Sequence, residues 1–389
     1  MSSPAGSKPW LAEPYRVFFP MGVLAALTGV SLWPLFYAGI WPYPPAWQHP
    51  RVMIFGFGAA FVAGFLGTSW PRFLESPPLR RCEMAGLIGL WGIAQGCFLA
   101  YRLPWGDGLA GAFLAFLLWV LLRRLGPGTS LPPTGFTLAA VSIAMTLLVA
   151  LAWALGGIEG YPRLWVFTKL LAYQGLLLLP VLGIGSYLFT RILQSPGAEM
   201  AKLPPGRRAA GVWLGASLVV VSFGIEAMGG LRMGNLVRFG AVLLWVFLAV
   251  PALYRGRAPS TRAWALRMAV GGLGLSFLVR ALWPGPLFAM EHLLFISGLG
   301  MILLIVADRV TLGHGADDAT MARCYGERSL VWRWLVWLIV VAALTRMAAD
   351  FTPRLMISHH SYAALLWVAS LLLWAIPAMR LWWRRPGDS

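Results

Sequence analysis

Apolar runs of about 18 or more residues recur along the whole chain, and that recurrence leaves few folds open to it. Wound as α-helix at about 1.5 Å per residue, such a run matches the roughly 30 Å hydrocarbon core of a bilayer. Bounded by charges, prolines and glycines, twelve candidate spans fall at about 15–41, 51–70, 82–101, 106–122, 135–156, 164–190, 209–228, 234–254, 263–283, 288–312, 330–350 and 360–383. The run from 106 is the shortest and is rich in glycine. Composition points the same way, because 59% hydrophobic and 12% charged residues are more apolar than an ordinary water-soluble core requires. Backbone polar groups in lipid must be paired internally, and helices do this within one segment. The expectation is an all-α polytopic membrane protein with about twelve transmembrane helices in one bundle. Residues 1–389 read as a single transmembrane domain, with a short disordered tail over 1–13. The chain shows no clear repeat and no linker that would set off a soluble domain.

The formal charge of +17 could suggest nucleic acid, but the basic residues are scattered in short groups between apolar runs, which is how topology signals are arranged. Nucleic acid is therefore set aside. Loops that would share a side with the N-terminus hold Arg72, Arg80, Arg81, Arg123, Arg124, Lys202, Arg207, Arg208, Arg255, Arg257, Arg323, Arg328, Arg384 and Arg385. The alternate loops hold Arg51, Arg102, Arg232 and Arg354. By the positive-inside rule both termini are cytoplasmic, as an even number of spans requires. The three cysteines, Cys82, Cys97 and Cys324, have neither paired metal spacing nor a disulfide framework.

This topology sorts the five histidines. His49 precedes the second span, His292 starts the tenth, and His359 and His360 start the twelfth, all toward the outer, periplasmic face. His314 alone ends the tenth span at the cytoplasmic face. His292 and His314 are separated by about 33 Å of helix, so they belong to two sites. Their 22-residue spacing returns to within roughly 40 degrees on an α-helix, so both look into the same bundle.

Ionisable side chains inside spans are costly and mark functional positions by default. The outer half holds Lys169, Glu226, Arg238, Arg280, Glu291, Arg346 and Asp350. Snorkelling or interhelical pairing would account for any one of them. Beside four histidines, the group suggests a cofactor. Imidazole ligates haem iron, copper and zinc, and haem propionates need Arg or Lys. His49, His292 and one of His359 or His360 are candidate ligands, with Arg238, Arg280 and Arg346 as candidate carboxylate holders. Trp47, Trp283 and Phe288 could pack on a porphyrin or simply belong to the interfacial aromatic belt. The His359–His360 pair reads either as a solvated loop pair or as one ligand and one bystander, since helix neighbours point about 100 degrees apart. His314 reads either as an ordinary helix end beside a glycine cap or as part of a second metal site near Thr190 and Arg191.

The stretch "HLLFISGLGMILLIVADRVTLGHG", with His292, Gly300, Arg309, Gly313 and His314, resembles the NnrS family pattern, which begins His-Ala-Leu and ends Arg-x-x-Leu-Gly-His-Thr-Gly. "YRVFF" from Tyr15, "WQHPRVMIFGFGAAFVAGFLGTSWP" from Trp47 and "LFTR" from Leu188 fit in order. The resemblance implies a bacterial inner-membrane protein containing haem and copper and linked to nitric oxide metabolism and nitrosative stress. His49, His292 and His314 match family histidines. The family's Trp-His-x-His-Glu-Met is "WQHPRVM" here, so Arg51 and Val52 replace a second His and a Glu, which puts copper in doubt.

Two other classes were weighed. A twelve-helix solute transporter would use the outer-half charges as a substrate path. A haem-copper oxidase or nitric oxide reductase core needs about six histidines, and five spread over both faces cannot supply it.

Overall fold

The computed structural model describes residues 13–126, 134–158, 160–193, 205–255, 260–285 and 287–383. The tail expected over 1–13, apart from Glu13, and the loop cations Lys202, Arg257, Arg384 and Arg385 lie outside the described residues. The described residues form helices and no strand. Among the described residues twelve helices are long and apolar enough to cross a membrane: α1 Tyr15–Tyr37, α2 Gln48–Phe73, α3 Arg81–Leu99, α4 Leu103–Leu122, α5 Gly135–Leu155, α6 Pro162–Leu193, α7 Gly206–Ala227, α8 Leu231–Ala249, α9 Thr261–Leu282, α10 Phe288–Gly315, α11 Leu330–Phe351 and α12 Pro353–Trp383.

All twelve expected spans are present, and the differences lie at their ends. α2 starts at Gln48, which takes His49 into its first turn, where Pro50 is tolerated because the amide it lacks would be unpaired there anyway. α12 starts at Pro353, with a short 3₁₀ turn before Met356, so His359 and His360 are helical residues and not a solvated loop pair. Hydropathy loses the helix there because "TPRLMISHHS" is polar, whereas Pro at the first helical positions still starts one.

The structure carries a repeat that the sequence hides. α2, α6 and α10 are long and deeply buried, and each contains a π-helical segment near its start: Val52–Gly58, Leu171–Gly175 and Leu293–Gly300. They recur every fourth span and run in the same direction. Each packs against the helix before it, α1, α5 or α9, and the other helices follow in arcs α3–α4–α5, α7–α8–α9 and α11–α12–α1. This is a parallel kind of internal repeat, carried by backbone geometry more than by residue identity. The close packing needs small residues: a Cβ on Gly29 of α1 would lie 2.8 Å from Met53 Sδ, and one on Gly272 of α9 would lie 2.8 Å from Ser297 Oγ of α10. Where α2, α6 and α10 approach one another, Phe61, Phe65, Leu177, Val181, Ile302 and Val306 help to line an apolar cavity of about 50 Å³.

Candidate functional site

The first turns of α2 and α10 bring His49 and His292 together. Their ring centroids are 6.2 Å apart and their planes differ by 18°. His49 Nδ1 lies 2.9 Å from the Gly29 carbonyl, and His292 Nδ1 lies 2.7 Å from the Phe288 carbonyl one turn back on its own helix. A carbonyl can only accept, so each Nδ1 carries the proton and each Nε2 keeps a lone pair. This is how proteins orient ligating histidines, with the far nitrogen held by a backbone acceptor. The glycine at position 29 lets α1 approach closely enough to supply its carbonyl.

His360 of α12 joins the cluster from a third direction. Its Nδ1 is 2.6 Å from the Tyr37 hydroxyl at the end of α1, its ring meets Trp33 edge-on at 5.4 Å, and its Nε2 is buried without a hydrogen bond. His359 has a buried Nδ1 that also lacks a hydrogen bond, and it makes no ring contact of this kind. The two neighbours on α12 therefore have different surroundings. Arg346 of α11 lies close enough to act electrostatically on His49, His292 and His360 alike. Its Nη1 donates to Asp350 Oδ1 at 2.8 Å, and Asp350 Oδ2 accepts from the Ala289 amide at 2.6 Å. A carboxylate on the opening amides of α10 favours the helix end, and it fixes the turn that carries His292.

Two imidazoles on one metal, through bonds of about 2.0–2.1 Å, would have centroids roughly 6 Å apart. The His49–His292 pair fits that demand. Among the described residues no group of three or more His, Cys, Asp or Glu side chains is arranged to hold a metal ion, and His49 and His292 are two imidazoles at the spacing a shared metal would need. The arginines divide. Arg346 is beside the histidines, whereas Arg238 and Arg280 line a different, polar cavity with Glu226 and Glu291. Trp47, Trp283 and Phe288 are about half exposed, and Trp47 and Trp283 lie against Trp165 and Phe351.

At the opposite end of α10, His314 Nδ1 receives a hydrogen bond from Arg72 of α2, which also pairs with Glu13, and its ring lies 5.8 Å from Tyr15. Arginine can only donate, so this ring carries its proton on Nε2 and its lone pair is engaged. His292 and His314 thus both face α2, one at each end, with opposite tautomers. Thr190 bonds instead to Ser186 of its own helix, and Arg191 lies over Tyr187.

Position 51 faces away from the histidines. Two residues along an α-helix turn about 200 degrees, and Arg51 points to α4, where its guanidinium makes bonds of 2.8, 3.1 and 2.9 Å with the Asp107 carboxylate. Both are buried, and the Trp153 ring lies 5.3 Å from the guanidinium carbon. Sequence reading missed Gly29, Trp33, Tyr37 and Asp107 as site residues. The glycine and the aromatics have common membrane-helix uses, and nothing local gives the partner of a single buried Asp.

Among family models, one described as NnrS protein matches residues 9–385, nearly the whole chain. No curated protein matches the sequence.

Proposed function

The chain belongs to the NnrS family and is a multi-pass membrane protein related to the nitric oxide response, and from that premise we propose that it carries a haem held by histidines at the outer, periplasmic face. The single observation that supports this most is the His49–His292 pair, with both Nδ1 protons given to carbonyls and both Nε2 lone pairs kept. His292 and His49 would hold the haem iron, His360 is the third imidazole that could replace one of them, and Arg346 would be the propionate partner nearest to hand. Haem bound there would supply an iron able to bind nitric oxide or to pass electrons. Gly29 and Phe288 orient the rings, Tyr37 orients His360, and Asp350 fixes the start of α10. His314 is proposed for the cytoplasmic end of the same helix, where its engaged lone pair suits a structural contact with Arg72 more than a metal bond. Copper is the weaker part of the family expectation, because position 51 holds an arginine paired with Asp107. The proposed setting is the bacterial inner membrane with both termini cytoplasmic, consistent with the basic loops.

The test is direct. Protein purified from membranes should show a Soret band, extractable haem and an absorbance change on adding nitric oxide. A preparation free of haem, from cells able to make it, would refute the reading.

A further inference from the structure

Glu291 sits beside His292 in sequence but points to another side of α10, toward a polar cavity of about 20 Å³ among α6, α7, α8, α9 and α10. Gln174, Glu226, Asn235, Arg238, Arg280 and Glu291 contribute to its wall. Most of these groups are tied down. Arg238, 1% exposed, donates to Ser222 Oγ at 2.8 Å and Gln174 Oε1 at 3.1 Å, and pairs with Glu226. Asn235 donates to Glu226 and to the Leu231 carbonyl, and Lys169 Nζ reaches Glu291 at 3.1 Å.

Arg280 is the exception. It is 6% exposed, its recorded hydrogen bond goes from Nη1 to the Pro284 carbonyl at 2.6 Å, and among the described residues it has no ion-pair partner. Lys169, Arg238 and Arg280 carry three positive charges, and Glu226 and Glu291 carry two negative ones. One positive charge is left over in a partly open chamber, with guanidinium donors to spare. An uncompensated charge in such a place is expensive, and a counter-charge with hydrogen-bond acceptors relieves it. The cavity is large enough for a few atoms and too small for an organic anion of any bulk.

We propose that this chamber binds a small inorganic monoanion, of the size of a halide or nitrite, against Arg280. The inference stands on the charge balance and the cavity, and is independent of what the histidines hold. Binding would place the anion beside Glu291, the residue that precedes His292 in sequence.

Bromide is a suitable probe. Full-length protein in detergent is heated at constant ionic strength, with gluconate replaced stepwise by bromide, and the midpoint of unfolding is read by size exclusion of the surviving protein. Wild type should give a saturable rise in midpoint, and Arg280→Gln should abolish it. Glu291→Gln, which adds a second uncompensated positive charge within a few ångströms, should lower the half-saturating bromide concentration about tenfold. Arg333→Gln, an exposed charge on α11, should leave the titration unchanged. A response that never saturates, persists in Arg280→Gln, or weakens in Glu291→Gln would overturn the proposal. The Glu291→Gln arm remains decisive if Arg280→Gln fails to fold.

Discussion

His292→Ala is expected to strip the purified protein of its proposed haem, while His314→Ala retains it. The reasoning is geometric. His292 sits in the turn that Asp350 pins through the Ala289 amide, and with its Nδ1 on the Phe288 carbonyl it keeps an Nε2 lone pair beside His49. No other histidine on α10 could take its place, because the next one on that helix is His314, about 33 Å away along the axis. His49→Ala should weaken the site and shift the spectrum without abolishing it if His360 takes the vacated position. Tyr37→Phe, which removes the group that orients the replacement imidazole His360, should leave haem affinity unchanged on its own and cost about 10–100-fold at most when combined with His49→Ala. Haem content per polypeptide, with optical and EPR spectra of each variant, reads all of these. Equal loss in His292→Ala and His314→Ala, or no loss in either, would refute the site.

Asp107→Asn should be the most destabilising single change in the half of the bundle that holds His49 and His292. The Arg51–Asp107 pair is bidentate and both side chains are almost wholly buried, so each charge depends on the other. Removing one partner strands a guanidinium among α2, α4 and α5, at a cost of about 3–5 kcal/mol. Replacing both, as in Arg51→Met with Asp107→Leu, should recover most of that loss, because the pair contributes little over a well-packed apolar substitute. Thermal unfolding in detergent measures both. A double variant as unstable as the single would mean that the pair does more than compensate itself.

The sequence made the membrane architecture legible because hydropathy registers segment length directly, and all twelve helices follow from it. It also placed His292 and His314 at opposite ends of one helix, which needs only helix rise. It did not tell which face of each helix meets which neighbour. Arg238, Arg280 and Arg346 look equivalent in the chain, since all lie near the same ends of their spans. Only packing assigns Arg346 to the histidines and the other two to the chamber with Glu226 and Glu291. The pairing of Arg51 with Asp107 links residues 56 positions apart, and no local pattern records it. The repeat was hidden for a related reason, because a π segment is a property of hydrogen-bond register and leaves hydropathy almost unchanged.

That register has a mechanical consequence. A π segment holds one residue more than the α-helical turns it replaces, so it works as a spacer that sets the angular offset between the two ends of its helix. In α10 the spacer lies between His292 and His314, at Leu293–Gly300, and both rings reach α2, one touching His49 and the other Arg72. Wound as plain α-helix with no residue removed, Leu293–Gly300 would swing the turn that carries His292 by about 100 degrees relative to the end that carries His314. With His314 still anchored on Arg72, His292 would then turn away from His49. The spacing between the two histidines is thus a phase setting, and one residue of it decides whether His292 can meet His49.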